Sequence, residues 1–151
     1  MKRVMRAMET ADLDSVVGIE SRAFTHPWPK QAFEDILFMR PWVLEVDDTL
    51  CGYILYHKVL DEAVILNFAI DPDIQGNGHG DYLLKHSLDA LADEGCCHFY
   101  LDVRKSNEAA QKLYAKHGFL ALGIRKQYYD HPTEDAIVMG MKLPVNSGEN
   151  T

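Results

Sequence analysis

Gln75-Gly76-Asn77-Gly78-His79-Gly80 is the stretch whose reading decides the fold. An apolar run, Ala63 to Ile70, precedes it and reads as a strand. Tyr82, Leu83, Leu84, Leu88 and Leu91 follow it at helical spacing. A glycine-rich turn between strand and helix aims several backbone N–H groups at one point, and the helix dipole adds partial positive charge there. The turn is therefore a candidate phosphate site. The chain carries a net charge of −8, so a bound anion must be held by local amides and not by the overall field. From Gly76 the spacing is G-x-G-x-G, which does not meet the dinucleotide fingerprint, and no Lys-Ser or Lys-Thr follows, which excludes a P-loop. The glycines alone leave two readings open: a phosphate cradle, or an ordinary tight turn and helix start.

Outward from the loop, the pattern alternates strands and helices. Arg3 to Met8 reads as a strand. Thr10 can cap a helix over Ala11 to Ala23, with Leu13, Val16, Val17, Ala23 and Phe24 inward and Glu20 at the edge. Thr25-His26-Pro27-Trp28-Pro29 breaks that helix, and Pro29 suits the first turn of a short second one carrying Phe33, Ile36 and Leu37. Pro41 to Val46 and Leu50 to Leu60 read as a hairpin turning at Asp47-Asp48. The helix after the glycine loop runs to about Asp93 and ends at Gly95. Cys96 to Val103 is a strand, Asn107 to Lys116 a helix closed by Gly118, and Leu120 to Gln127 with Ala136 to Leu143 a last strand pair. The polar stretch Asn146 to Thr151 is expected to fray. With no repeat and no dividing linker, the 151 residues are expected to form one α/β domain, a mixed sheet with helices on both faces.

Composition narrows the function classes. Apolar residues make up 47% and charged residues 25%, a balance that can bury a core without metal or disulfide support. No apolar run reaches membrane-spanning length, and the basic start Met1 to Arg6 lacks the apolar stretch of a signal peptide. Cys51, Cys96 and Cys97 give an odd count, which fits reduced thiols in a cytoplasmic protein. No His/Cys spacing matches a zinc site, so no metal is expected. The acidic balance argues against direct nucleic-acid binding and is compatible with a basic peptide or protein substrate.

Four further stretches extend the loop into a pattern: Leu66 to Asp73, Leu101 to Asn107, Leu113 to Phe119, and Ile124 to Tyr129 with Glu134 to Ile137, joined by Pro27-Trp28. With Gln75 to Gly80 they resemble the GNAT acyltransferases, and within them the ribosomal-protein-alanine N-acetyltransferases (RimI type), over about residues 3 to 143. The resemblance implies the GNAT fold, a central sheet of about seven strands whose fourth and fifth splay apart for pantetheine. It implies acetyl-CoA as cosubstrate and direct attack by a protein N-terminal α-amine in a ternary complex. The implied partner is a ribosomal protein beginning with alanine. Acetylation of lysine or a small amine, and a noncatalytic acyl-CoA-binding module, are the competing readings.

The same resemblance assigns residues. Phe68, Ala69 and Ile70 would run along the cofactor, and Gln75, Gly76, Asn77, Gly78, His79, Gly80 and Asp81 would cradle its diphosphate. Asp81 departs from the family, which often has Arg there, and would repel phosphate. His79 reads as a solvent-exposed loop residue. Tyr114 aligns with the acid that protonates the leaving thiolate; a core aromatic is its plain alternative. Asn107 would bond pantetheine, but is also a natural helix cap. Asp102 stands where close relatives usually carry Glu, the proposed base; a pair with Arg104 or a structural hydrogen bond is the alternative. Arg125, Tyr128, Tyr129 and Glu134, with Asp135, would form the substrate wall, against a solvated hairpin tip; Pro27-Trp28 would close the opposite side, against a packing plug.

Overall fold

Two adjacent aspartates set the first register. Asp47 and Asp48 have φ of 50° and 68°, the left-handed pair that a two-residue hairpin turn demands. They join β2 (Trp42–Val46) to β3 (Thr49–Val59), and β1 (Arg3–Ala7) pairs antiparallel with β2 from Arg3↔Val46 to Ala7↔Trp42. The structure, a computed structural model, describes residues 1–144; the tail 146–151, expected to fray, lies outside the described residues. The remaining elements are α1 (Leu13–Ala23), α2 (Lys30–Asp35), β4 (Glu62–Ile70), α3 (His79–Asp93), β5 (His98–Arg104), α4 (Glu108–Lys116), β6 (Leu120–Tyr129) and β7 (Glu134–Lys142). The sheet has seven strands in the order β1-β2-β3-β4-β5-β7-β6, with β4 and β5 parallel. The expected mixed sheet of seven strands is present.

The chain forms two compact units. The first comprises Met1–His57 and Leu66–Asp89; the second Lys58–Ile65 and Ala90 onward. The first unit's core is Met8, Leu13, Val16, Ile19, Phe33, Val43, Tyr53 and Ala69, all 8% exposed or less. Fully burying side chains of this kind contributes about 1.5–3 kcal/mol each for the aliphatic and Phe members. In the second unit β5 alternates: Phe99, Leu101 and Val103 are buried, while Tyr100, Asp102 and Arg104 are half-buried on the other face. Phe119, Ala136 and Met139 complete that core.

Three details correct the sequence reading. Thr10 is not the cap: Glu9 and Asp12 exchange side-chain and backbone hydrogen bonds across a 3-10 turn at Thr10–Asp12 before α1 begins. Ile19 is buried and Phe24 is 38% exposed, because α1 stops at Ala23 and Phe24 leaves it in extended conformation. Glu20 is not at the edge but fully inside, 2% exposed.

Candidate functional site

The glycine loop belongs to the first unit and is built from the end of β4. Asp71 N–H donates to the Cys51 carbonyl at 2.7 Å. A 3-10 turn at Pro72–Ile74 follows, capped by the Asp71 side chain. Gln75 Nε2 donates to the Ile70 carbonyl at 3.3 Å and Asn77 Nδ2 to the Ile74 carbonyl at 2.9 Å, closing the loop on itself. Gly76 and Gly78 hold φ of 87° and 80°, the left-handed region that only glycine adopts cheaply. The first helical bond of α3 runs from Tyr82 N–H to the Gly78 carbonyl. The N–H groups of His79 and Gly80 therefore have no acceptor inside the helix. A Cβ on Gly76 would meet nothing within 4 Å, so the loop is open there. Two left-handed glycines, first-turn amides without a helical acceptor and open space at Gly76 fit the diphosphate of CoA; the Asp81 carboxylate in the first turn of α3 opposes it.

His79 is a correction. It is 4% exposed, not a solvent-facing loop residue, and its Nδ1 accepts from Arg3 Nε at 3.1 Å. Burial and then the Arg3 charge push its pKa down. Phe68, Ala69 and Ile70 close β4; Phe68 is half-buried and the other two are buried. A Cβ on Gly52 of β3 would come 2.5 Å from Ile70 Cδ1 and 3.0 Å from the Ala69 carbonyl, so glycine lets the two backbones approach. Trp28 is half-buried with its ring 5.4 Å from that of Phe33, and its backbone N–H donates to the Glu20 carboxylate at 2.9 Å. Glu20 also accepts from Tyr53 Oη at 2.5 Å and Asn67 Nδ2 at 2.8 Å. Sequence reading missed this buried carboxylate; its place within an apolar stripe was the available signal.

The second unit gathers most of the other residues. Asp102, on the half-buried face of β5, accepts from Arg125 Nε at 3.1 Å, across β7. Its partner is thus Arg125 and not Arg104, because Arg104 Nη1 is engaged by Glu134 at 3.2 Å. Tyr129 packs under the Arg104 guanidinium, 4.4 Å from the ring centroid. Burial, then the Asp102 charge, pushes its phenol up to about 12. Tyr114 is 8% exposed, with its ring 5.7 Å from Phe119. Burial first, then Tyr129, raises its pKa well above the ordinary phenol value. Tyr129 thus couples to both Asp102 and Tyr114, one a half-exposed carboxylate and the other a phenol held in its protonated form.

The substrate-wall residues divide. Tyr128 is exposed, with the Arg125 guanidinium 5.8 Å from its ring centroid. Glu134 is spent on the Ser106 N–H and on Arg104, with Ser106 the first cause of its lowered pKa. Asp135 accepts from Gln127 N–H at 2.9 Å. Asn107 caps α4, its side chain accepting from Ala110 N–H at 3.1 Å. The β4–β5 pairing covers Glu62↔His98 to Val64↔Tyr100 only; β4 continues to Ile70 and β5 to Arg104. A separate trio, Asp61, Cys97 and His98, brings a carboxylate, a thiol and an imidazole within 4.8 Å of one another. There the Cys97 thiol donates to Asp61, and burial raises its pKa.

Residues 13–119 match the family described as the Acetyltransferase (GNAT) family, and the chain belongs to that family. It is 39% identical over 145 residues to the [ribosomal protein bS18]-alanine N-acetyltransferase of Salmonella typhimurium (strain LT2), covering 90% of this chain and 95% of that one. The crystal structure of the ribosomal-protein-S18-alanine N-acetyltransferase from Escherichia coli superposes with a TM-score of 0.91 at 35% identity, over 99% of both chains. Ard1 from Thermoplasma volcanium shares the fold at a TM-score of 0.89 and 24% identity, over 95% of this chain and 99% of that one. The fold is the GNAT fold, and the activity class is acetyl-CoA-dependent N-acetyl transfer. No described helix is long and apolar enough to cross a membrane.

Proposed function

We propose that this protein transfers acetyl from acetyl-CoA to the N-terminal α-amine of a ribosomal protein, bS18 beginning with alanine, in the cytoplasm. The observation that carries this reading is the similarity, 39% over nearly the whole chain, to a relative of that stated activity. The chain is a single domain in this reading, which the single family match across residues 13–119 supports.

Acetyl-CoA supplies a thioester carbonyl for the amine to attack. The loop at residues 75–81 holds the diphosphate through its amides, and the backbone of Phe68, Ala69 and Ile70 lies along the pantetheine. As the C–N bond forms and the C–S bond breaks, Tyr114 gives its phenolic proton to the departing sulfur. Asp102 takes the amine proton, through water because Asp is one methylene shorter than Glu. Trp28, Tyr128, Tyr129 and Arg125 receive the peptide, Arg125 while bonded to Asp102. Glu134, held by Ser106 and Arg104, shapes the wall without contacting the peptide. Asn107 uses Oδ1 for its cap and offers Nδ2 to the pantetheine.

Proton energetics favour this acceptor. An α-amine with pKa of about 8 is one-tenth neutral at about pH 7, so deprotonation costs about 1.4 kcal/mol; a lysine at about 10.4 costs roughly 4.6 kcal/mol. A short, water-mediated base suffices for the first and is poorly matched to the second. The test is CoA release with three acceptors: a basic Ala-initiated peptide, the same peptide blocked at its N-terminus but carrying a lysine, and a polyamine. Turnover with the first alone is expected; turnover confined to the lysine peptide or the polyamine overturns the assignment.

A further inference from the structure

The loop's weakness is electrostatic. Asp81 places a negative charge in the first turn of α3, where an anion must bind, and the chain as a whole is acidic. Within the same unit, a cation from the far end of the sequence reaches this loop. Arg3, the first residue of β1, sends Nη2 to the Asn77 carbonyl at 2.7 Å and Nε to His79 Nδ1 at 3.1 Å. Its guanidinium carbon lies 5.4 Å from the Tyr82 ring centroid, and Tyr82 Oη donates back to the Arg3 carbonyl at 3.4 Å. The Arg3 Nη2 is 3.5 Å from where a Cβ on Gly78 would stand. The guanidinium therefore touches residue 77, packs beside residue 78, and bonds residue 79 of the loop.

We propose that Arg3 is a positioning residue for the diphosphate of CoA, fixing the Asn77–Gly78 peptide and supplying local positive charge that offsets Asp81. The geometry explains how. In a planar trans peptide the C=O and N–H point in opposite directions. Pinning the Asn77 carbonyl on the guanidinium turns the Gly78 N–H away from Arg3, leaving it to the ligand. The bond to His79 fixes that ring's orientation: its Nδ1 accepts, so the neutral imidazole carries its proton on Nε2. Buried against Arg3, His79 anchors the first residue of α3, whose N–H groups are the remaining donors. A guanidinium can bridge two acceptors in one plane, which an ammonium cannot.

This inference rests on reading the loop as a diphosphate cradle, so its test separates the two ideas. CoA and pantetheine, which lacks the diphosphate, are titrated by calorimetry into the unaltered protein, Arg3→Met and Arg3→Lys, at low and high salt. The expected result is about tenfold weaker CoA binding in Arg3→Met with pantetheine binding unchanged, in line with loss of a charge-assisted contact network. Arg3→Lys should recover part of the loss, and the CoA affinity of Arg3→Met should depend less on salt. In steady state, KM for acetyl-CoA should rise while kcat stays within about twofold, the pattern of lost uniform binding. Equal weakening of CoA and pantetheine, or unchanged CoA binding, overturns the role of Arg3. Absence of CoA binding by the unaltered protein overturns the cradle itself.

Discussion

Tyr114 carries the sharpest residue-level expectation. Its phenol is buried and kept protonated far above neutral pH, chiefly by desolvation. Burial keeps the proton on the phenol at neutral pH, so it is present to be given when the thiolate departs, although the raised pKa makes Tyr114 a weaker acid than a free phenol. Tyr114→Phe removes the proton and keeps the ring contact with Phe119. Turnover should fall about 100-fold or more, with CoA affinity retained by calorimetry; an unchanged rate removes Tyr114 as the acid. A second residue-level expectation concerns Glu20, whose carboxylate binds Tyr53, Asn67 and Trp28 inside the first unit. Tyr53→Phe should lower stability by about 1.5–3 kcal/mol in urea unfolding, the worth of a hydrogen bond to a charged group. A loss below a few tenths of a kcal/mol contradicts that account. At this scale the sequence was only partly legible. The glycine loop, His79 included, could be marked as a candidate by pattern, whereas the burial of His79 and its contact with Arg3 could not. Nothing in the residues near Arg3 signals a partner 74 positions away.

Elements were read more faithfully, because their ends carry local chemistry. Gly95 and Gly118 close α3 and α4 at φ of 101° and 100°, and Asp47-Asp48 turns the hairpin, all as the residue types require. The start of α1 was misplaced at Thr10, since a reciprocal Glu9–Asp12 box competes with a threonine cap and wins. That turn also yields a pH expectation. Arg6 bonds both Asp12 oxygens at 2.8 Å, and this guanidinium contact is the main cause holding the carboxyl below its ordinary value. A carboxyl depressed in the folded state contributes stability that is complete above its unfolded value, 3.8. That stability is lost as pH falls from there through the folded value. Asp12→Asn should therefore be less stable than its parent at neutral pH by about 1 kcal/mol or more. The gap should shrink in urea melts below about pH 3.8. A gap that persists undiminished into strong acid contradicts the linkage.

For the whole molecule, a mixed sheet followed from the order of strands and helices, but its strand order did not. The β5-β7-β6 order, with the last strand, β7, inserted between β5 and the edge strand β6, is what lets Arg125 reach Asp102 across β7 and frees Arg104 for Glu134. Such pairings are fixed by topology, so the sequence reading offered Arg104, two residues away, as the partner. The activity class follows from family membership, and the proposed acceptor is supported by energetics and by likeness to a relative named as a bS18-alanine N-acetyltransferase. The measurement that tests this most directly is peptide mapping by mass spectrometry. Unacetylated bS18 with a free N-terminal alanine is incubated with this protein and acetyl-CoA. The account predicts one acetyl group, on the α-nitrogen of that alanine, with lysines unmodified; acetyl found only on lysine side chains, or nowhere on the protein, contradicts it.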